Sequence, residues 1–301
     1  MREPSKNTGR RVSSNPWKRK EYRVGWILAA PAILFFGVFK LYLVLLMIWD
    51  SFRQIGLFGE STWVGLTNYA QLLANPDFLS SVESTLMWVT IGVAMTVFPT
   101  LGLALMLEKP PLKVLWRAVY FLPGILSWAM EGPIWIFLLT PGQGPIARIF
   151  ATLGLPEPNW LGDPHLIFFV LGALLLWQQG GFLALFYLAA LAEVDPSLLD
   201  AARVDGANAW GRFRWVTLPL LIPTVGVVLS VALLQTFSGF SEIYVLTGAA
   251  VYRITDVLPL WVYNHGIVSN QVGIASAASL VLFVMTLAVT FVGLRRTRGT
   301  L

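Results

Sequence analysis

The sequence contains no cysteine and few charged residues for its length. Of its 301 residues, 12% are charged and 56% are hydrophobic, and the mean hydropathy is +0.69. A soluble globular domain carries about 25% charged residues, so this chain has too little polar surface to cover a soluble core of its size. The lack of cysteine excludes a disulfide framework, a thiolate nucleophile and a cysteine metal site. The composition therefore predicts an integral membrane protein.

The sequence also lacks the phosphate-binding motif G-x-x-x-x-G-K-[ST]. In that motif backbone N–H groups and a lysine hold the phosphates of ATP. Nucleophiles, metal ligands and paired carboxylates do not cluster near one predicted membrane face, which argues against the rival interpretation of a membrane enzyme. We predict no catalytic residue, no metal site and no cofactor bound by this chain.

Long apolar runs are what the sequence has in place of these features. A helix needs about 20 apolar residues to cross about 30 Å of hydrocarbon. The first run is too long for a signal-peptide core of about 7–15 residues, so we expect it to be retained. We predict an all-α polytopic fold with six transmembrane helices, at 24–49, 86–107, 114–139, 166–192, 221–246 and 274–294.

Lysine and arginine are distributed unevenly between the two predicted membrane faces. Eight lie in the N-terminal tail, and the other groups lie around Lys113, Arg212 and Arg296 on the same side. The opposite face has only Arg53, Arg148 and Arg253, and Lys40 falls inside the first span. Because positively charged loops stay in the cytoplasm, we predict a multi-pass protein with both termini cytoplasmic. The predicted organisation is a basic tail (1–23), the first helix and an outer loop (24–81), a five-helix domain (82–294) and a short tail (295–301).

The segment 193–219 interrupts two apolar runs with charges, glycines and prolines. Asp195 is a good N-cap, and Pro196 is tolerated at the first helical position, where its missing N–H is not needed. Gly206 predicts the end of this short helix, and Asn208 predicts the cap of a second one. Trp210, which is three residues from Phe213, shares a helix face with it, and Arg214 is expected beside Trp210. Spacing alone leaves open whether the segment contacts a protein or lies among lipid headgroups.

The segment contains a spaced pattern of small, acidic and apolar residues: Asp200, Ala201, Ala202, Asp205, Gly206, Ala207, Phe213, Val216, Leu218 and Pro219. This pattern resembles the EAA loop of ABC-importer permeases, which runs Glu-Ala-Ala, two residues, Asp-Gly-Ala, five residues, Phe, two residues, Ile, one residue, Leu-Pro. Two positions depart from it, since Asp200 replaces Glu and Val216 replaces Ile. We expect Trp210 on the same contact surface.

Further blocks resemble the maltose-type, carbohydrate-uptake branch of these permeases. They are "WVGLTNYAQLLANPDF", "RAVYFLPGIL", "NWLGDP", "YLAALAEVDPSLLDAARVDGA" and "FSEIYVLTG", in the expected order from about the first span to the last. Ser241 stands where that branch often has Asp, and "GAAVYRIT" lacks its usual Gly-Gly-Pro. Both departures lie near the predicted outer mouth and concern the identity of the substrate.

The resemblance implies the transmembrane subunit of a binding-protein-dependent importer in a bacterial or archaeal cytoplasmic membrane. The implied partners are a second homologous permease, forming a heterodimer of permeases, nucleotide-binding ATPase subunits that use ATP and Mg²⁺, and an extracytoplasmic solute-binding protein. The loop 193–219 would dock its two short helices in a cleft of the ATPase. A mono- or oligosaccharide is the expected substrate, with glycerol phosphate or a related polyol as the alternative. A channel or secondary transporter that works without ATP is the remaining rival.

Polar side chains inside the predicted spans suggest a transport pathway. An ionisable group at mid-span costs about 2.5–3.5 kcal/mol on insertion scales, so such groups usually serve a function. Amides and carboxylates bind sugar hydroxyls, and an indole offers a flat face for stacking. The opposing interpretation is that these groups bond neighbouring helices and that Gly180 and Gly181 permit close packing. The candidates are Glu131, Trp177, Gln178, Gln179, Gln235, Ser238 and Glu242, the last two expected on one helix face with Gln235.

Overall fold

The computed structural model describes residues 16–56, 59–108, 113–163, 166–247 and 256–298. Within these ranges the regular secondary structure is helical apart from one short hairpin, which confirms the predicted all-α class. The chain divides into two units, Met1–Trp49 and Asp50–Leu301. The segment "GAAVYRIT", at 248–255, which departs from the pattern of the carbohydrate-uptake branch, lies outside the described residues.

The first unit contains a long apolar helical stretch. α1 (Pro16–Phe36) passes through a π-helical turn (Gly37–Leu41) into α2 (Tyr42–Ser51). The stretch Val24–Ser51 has a mean hydropathy of 2.3, and no residue of its most apolar part is buried. The Lys40 ammonium lies 5.3 Å from the centre of the Phe36 ring, a cation–π contact that stabilises a charge on an apolar helix. A stretch of this length and exposure is suited to contact with lipid.

A small hairpin opens the second unit. β1 (Arg53–Ile55) pairs antiparallel with β2 (Ser61–Trp63), with Arg53 opposite Trp63. On α3 (Thr67–Ala74) the Asn68 amide donates to the carbonyl oxygens of Ser51 and Arg53, at 2.8 and 3.0 Å. These two bonds hold the hairpin against α3. Because Asn68 is buried, its donors must be paired in this way.

Helices make up the rest of the second unit. They are α4 (Pro76–Glu108), α5 (Lys113–Phe121), a 3₁₀ turn (Pro123–Ile125), α6 (Trp128–Leu139), α7 (Pro145–Thr152), α8 (Ile167–Ala192), α9 (Pro196–Val204), α10 (Ala209–Arg212), a π-helical turn (Phe213–Thr217), α11 (Leu218–Phe237), α12 (Ser241–Thr247), α13 (Leu258–Tyr263), a π-helical turn (Asn264–Val268) and α14 (Val272–Arg298). In the described chain, five stretches are long and apolar enough to cross a membrane: Val24–Ser51, Pro76–Glu108, Ile167–Ala192, Ala209–Phe237 and Val272–Gly293.

The predicted third span, 114–139, is wrong as a single helix. α5 ends at Phe121, and the chain then passes through a 3₁₀ turn and two residues of extended backbone, Leu126 and Ser127. Pro123, which provides no N–H for a continuing helix, lies at this break. Only the 12 residues of α6 remain as a shorter apolar helix.

The predicted fifth span, 221–246, is also interrupted. The long helix begins earlier, at Ala209, and ends at Phe237. Beyond it the N–H of Gly239 donates to the Thr236 carbonyl and that of Phe240 to the Ser238 carbonyl, at 3.2 and 2.8 Å. These tight turns replace the helical pattern at a glycine, which is a poor helix former. Glu242 therefore lies on a separate helix, α12.

The main core lies where α4, α8 and α11 meet. Leu183 and Tyr187 of α8, Ala104 of α4 and Leu221 of α11 are fully buried there. At Gly181 the backbone of α5 approaches α8 so closely that a Cβ would clash with the carbonyl oxygen of Tyr120. Gly181 thus has the close-packing role that the sequence left open, and Gly180 meets only the flexible side chains of Leu176 and Leu103.

Candidate functional site

The segment between α8 and α11 forms two short helices, as the sequence predicts. Asp195 caps α9, because its carboxylate accepts a hydrogen bond from the backbone N–H of Ser197 at 2.9 Å, and Pro196 occupies the first helical position. This backbone N–H, together with the Ser197 hydroxyl, lowers the pKa of Asp195. Asn208 caps α10 by accepting from the N–H of Gly211 at 2.7 Å. Both predicted caps are confirmed.

Gly206 ends the first short helix with a backbone that other residues rarely adopt. Its φ is +83°. The N–H of Gly206 donates to the Arg203 carbonyl at 3.1 Å, and the N–H of Ala207 donates to the Ala202 carbonyl at 2.9 Å. This is a Schellman motif, which pairs the last carbonyls of a helix and turns the chain sharply. The predicted helix stop at Gly206 is confirmed.

The surface of this segment is open. No residue of α9 or α10 is buried. Trp210 is 68% exposed, and its ring lies 5.5 Å from that of Phe213, so the predicted shared face is confirmed. Asp200 and Arg203 form an exposed ion pair at 3.5 Å, which contributes little to stability by itself.

Further details of this surface were not expected from the sequence. The guanidinium of Arg214 lies over the Trp215 ring, 5.3 Å from its centre, and its expected place beside Trp210 stays a prediction. A π-helical turn follows α10 at Phe213–Thr217. Trp215, which is 76% exposed, is a second large apolar side chain that the sequence analysis did not single out.

Four of the predicted pathway residues lie together between α6, α8 and α11. The Gln235 amide donates to the Gln179 side chain, and the Gln179 amide donates to that of Gln178, both at 3.3 Å. The Gln178 amide in turn donates to the Leu126 carbonyl at 3.4 Å. The side chain of Gln178 also lies beside the carboxyl group of Glu131. We call Glu131, Gln178, Gln179 and Gln235 the polar network.

Glu131 is the most enclosed member of the polar network. It is 1% exposed, and neither carboxylate oxygen has a hydrogen-bond partner among the described residues. The Oε1 atom of Gln235 is likewise buried and unpaired. Buried polar atoms are normally paired, so these acceptors are exceptions among the described residues.

The other three candidates stand apart from this network. Trp177 is 41% exposed and meets the Trp135 ring edge to face at 5.1 Å. Ser238 is exposed in the turn after α11, and Glu242 is buried on α12. The expected single face of Gln235, Ser238 and Glu242 is wrong because the helix ends at Phe237. The Leu126 carbonyl is a member of the site that sequence reasoning missed, since only the broken third span exposes it.

Comparison with known proteins supplies relatives along almost the whole chain. Residues 100–296 match the family model described as "Binding-protein-dependent transport system inner membrane component". The trehalose/maltose transport system permease of Thermococcus litoralis is 30% identical over 280 residues, which cover 92% of this chain and 95% of that protein. The sn-glycerol-3-phosphate transport system permease of Agrobacterium fabrum is 30% identical over 273 residues, covering 88% and 91%.

A solved structure has the same fold. It belongs to a bacterial ABC transporter involved in the import of the acidic polysaccharide alginate. The match has a TM-score of 0.81 at 24% identity and covers 94% of this chain and 98% of that one. The match shows that the two chains share a fold.

Proposed function

Because the chain belongs to the family of binding-protein-dependent transport system inner membrane components, we propose that it carries a carbohydrate across the cytoplasmic membrane. It is the permease subunit of an ABC importer, a transport subunit whose ATPase is a separate partner. The observation that carries the carbohydrate proposal is the match to a trehalose/maltose permease over 92% of the chain. Glycerol phosphate is the second candidate, because a glycerol-phosphate permease is also 30% identical to this chain.

The proposed assembly has several further members. A second homologous permease completes the membrane-spanning part, ATPase subunits bind ATP and Mg²⁺, and an extracytoplasmic solute-binding protein delivers the substrate. Both termini and the loop 193–219 face the cytoplasm, which the distribution of lysine and arginine supports. The boundaries proposed for the chain are those of the sequence analysis, with the transport domain at 82–294.

The loop 193–219 is the proposed contact with the ATPase. Neither of its two helices has a buried residue, and a side chain caps and so stabilises the N-terminus of each. Large aromatic residues dominate protein interfaces, and the Trp210–Phe213 pair is such an anchor. The proposed contact residues are Asp200, Ala201, Ala202, Asp205, Gly206, Ala207, Trp210, Phe213, Leu218 and Pro219.

The polar network is the proposed centre of the substrate pathway. Its unpaired acceptors suit a substrate that is rich in hydroxyl groups. For such a substrate to pass, the three helices that carry the network must separate or slide. Trp177, Ser238 and Glu242 remain proposed contacts elsewhere along the pathway.

Uptake by the reconstituted importer tests the transport proposal. The complete complex in proteoliposomes, with its binding protein outside and ATP inside, should accumulate labelled maltose or trehalose. An ATPase variant that binds but does not hydrolyse ATP should abolish this uptake. Accumulation without ATP would refute the proposal, and accumulation of glycerol 3-phosphate alone would select the second candidate.

Two exposed tryptophans allow a matched test of the coupling surface. Trp210→Ala should reduce ATP-dependent uptake at least tenfold and weaken ATPase association, because it removes an interface anchor. Trp215→Ala removes an equally large exposed side chain from the same segment and should leave the association unchanged. If Trp215→Ala releases the ATPase and Trp210→Ala does not, the proposed contact surface is wrong.

A further inference from the structure

The orientation of the amides in the polar network is fixed by its neighbours. A carbonyl oxygen can only accept a hydrogen bond, so the Gln178 group facing the Leu126 carbonyl must be its NH₂. The Gln178 oxygen then accepts from Gln179, and the Gln179 oxygen accepts from Gln235. A carboxylate beside Gln178 favours the same orientation. Each bond therefore runs in one direction, from Gln235 towards Leu126.

This direction leaves an excess of acceptors. The unpaired atoms of the polar network are both oxygens of Glu131 and the Oε1 atom of Gln235. All three accept hydrogen bonds when Glu131 is ionised. The one donor group beside Glu131 is the Gln178 amide, which is bonded to the Leu126 carbonyl. Among the described residues the network therefore has more acceptors than donors.

The three helices that carry the polar network contain no positive charge. The sequences of α6, α8 and α11 contain no lysine, arginine or histidine, and Glu131 is their one acidic residue. The neighbouring α12 adds another acid, Glu242. On α5, which packs against α8, the cations are Lys113 and Arg117, and the Nε atom of Arg117 is buried without a hydrogen-bond partner among the described residues. On α7, beyond the end of α6, the cation is Arg148.

We infer that the polar network selects hydrogen-bond donors and rejects anions, with Glu131 as the residue that determines this specificity. The matching substrate is a neutral saccharide, whose hydroxyls donate to Glu131 and Gln235. A phosphate or uronate group offers more acceptors and a negative charge, and α6, α8 and α11 contain no cation that would compensate its desolvation. The inference rests on the proposed transport function.

Ligand-dependent thermal unfolding tests the inference without the binding protein. The permease–ATPase complex in nanodiscs is heated with maltose, trehalose, an aldobiouronic acid or glycerol 3-phosphate. Each ligand is added at up to about 200 mM, a range suited to weak sites. A neutral disaccharide at about ten times its Kd should raise the Tm by about 2–4 °C, and the two anions should not.

Variants identify the residue responsible. Glu131→Gln replaces one acceptor with a donor and removes the charge, so it should lose most of the shift with maltose or trehalose and tolerate the anions. Glu83→Gln removes a carboxylate from an exposed position on α4 and should respond as the wild type. The Tm without ligand and the basal ATPase rate show whether each variant is folded.

The outcomes separate this inference from the transport proposal. Equal stabilisation by neutral and anionic probes, no shift with either neutral probe, or an unchanged pattern in Glu131→Gln would each overturn the inference. If uptake still requires ATP in the reconstituted importer, the transport proposal survives that result. Uptake that does not depend on ATP would instead refute the transport proposal, whatever the Tm pattern.

Discussion

Gly206→Ala should uncouple transport from ATP hydrolysis through a small change in backbone energy. Gly206 has a φ of +83°, and a Cβ at this position meets nothing within 4 Å. The cost therefore comes from the left-handed backbone alone, about 1–2 kcal/mol for a residue with a side chain. Since 1.4 kcal/mol is a factor of ten in an equilibrium, the sharp turn between α9 and α10 would lose about 5- to 30-fold in relative population.

The chain offers a matched control for this change. Gly154 has a φ of +68°, also meets nothing within 4 Å, and ends α7 with the same pair of hydrogen bonds, from its own N–H to Ala151 and from Leu155 to Phe150. Gly154→Ala thus carries the same backbone penalty far along the chain from the coupling loop. The two variants should lose similar thermal stability.

Uptake and ATPase rates measured together in proteoliposomes provide the assay. We expect Gly206→Ala to retain basal ATP hydrolysis and to lose up to about 5- to 30-fold in uptake, the full loss in relative population of the turn. Gly154→Ala should transport as the wild type. Equal loss in both variants would mean that reduced stability is the cause, and wild-type uptake in Gly206→Ala would refute the coupling role of the turn.

Two further predictions concern packing and pH. Gly181→Ala should destabilise the protein by about 1–3 kcal/mol, because the Tyr120 carbonyl cannot move aside as a side chain can. Gly180→Ala should be tolerated, and thermal unfolding of the two variants compares them directly; equal losses would contradict the close approach of α5. The pKa of Asp195 is lowered by the Ser197 N–H and hydroxyl, so its stabilisation of α9 is present above the ordinary carboxyl pKa and is lost as the pH falls through the lowered value. Hydrogen-exchange protection of α9 should therefore drop on acidification in the wild type and stay constant in Asp195→Asn, which accepts the same bond without titrating; a drop in both would show that the cap is not the cause.

Local features of the fold were predictable because they depend on residues close in sequence. Asp195, Gly206 and Asn208 each make their key bonds within five positions along the chain. Hydropathy also located the long helices, since length and composition decide which segments can cross a membrane. The break at Pro123 was missed because apolar residues continue on both sides of it, and hydropathy does not distinguish a broken helix from a continuous one.

The site was predictable as a set of residue types but not as an arrangement. Buried polar residues in apolar segments pointed to Glu131, Gln178 and Gln235. Their bonding order depends on the Leu126 carbonyl, which is free only because the backbone is extended there. Glu242 was assigned to the wrong face because a periodic pattern assumes an unbroken helix, and α11 ends five residues before it.

The helical stretch Ala209–Phe237 joins the loop 193–219 to the polar network. At about 1.5 Å per residue, Ala209 and Gln235 are separated by about 39 Å along the axis. Such a helix acts as a lever, because a tilt of about 5° at one end displaces the other by about 3 Å at this length. The hydrogen bond from Gln235 to Gln179 is 3.3 Å long and would not survive that displacement. A small rotation is thus sufficient to break this hydrogen bond between α11 and α8 on the proposed substrate pathway.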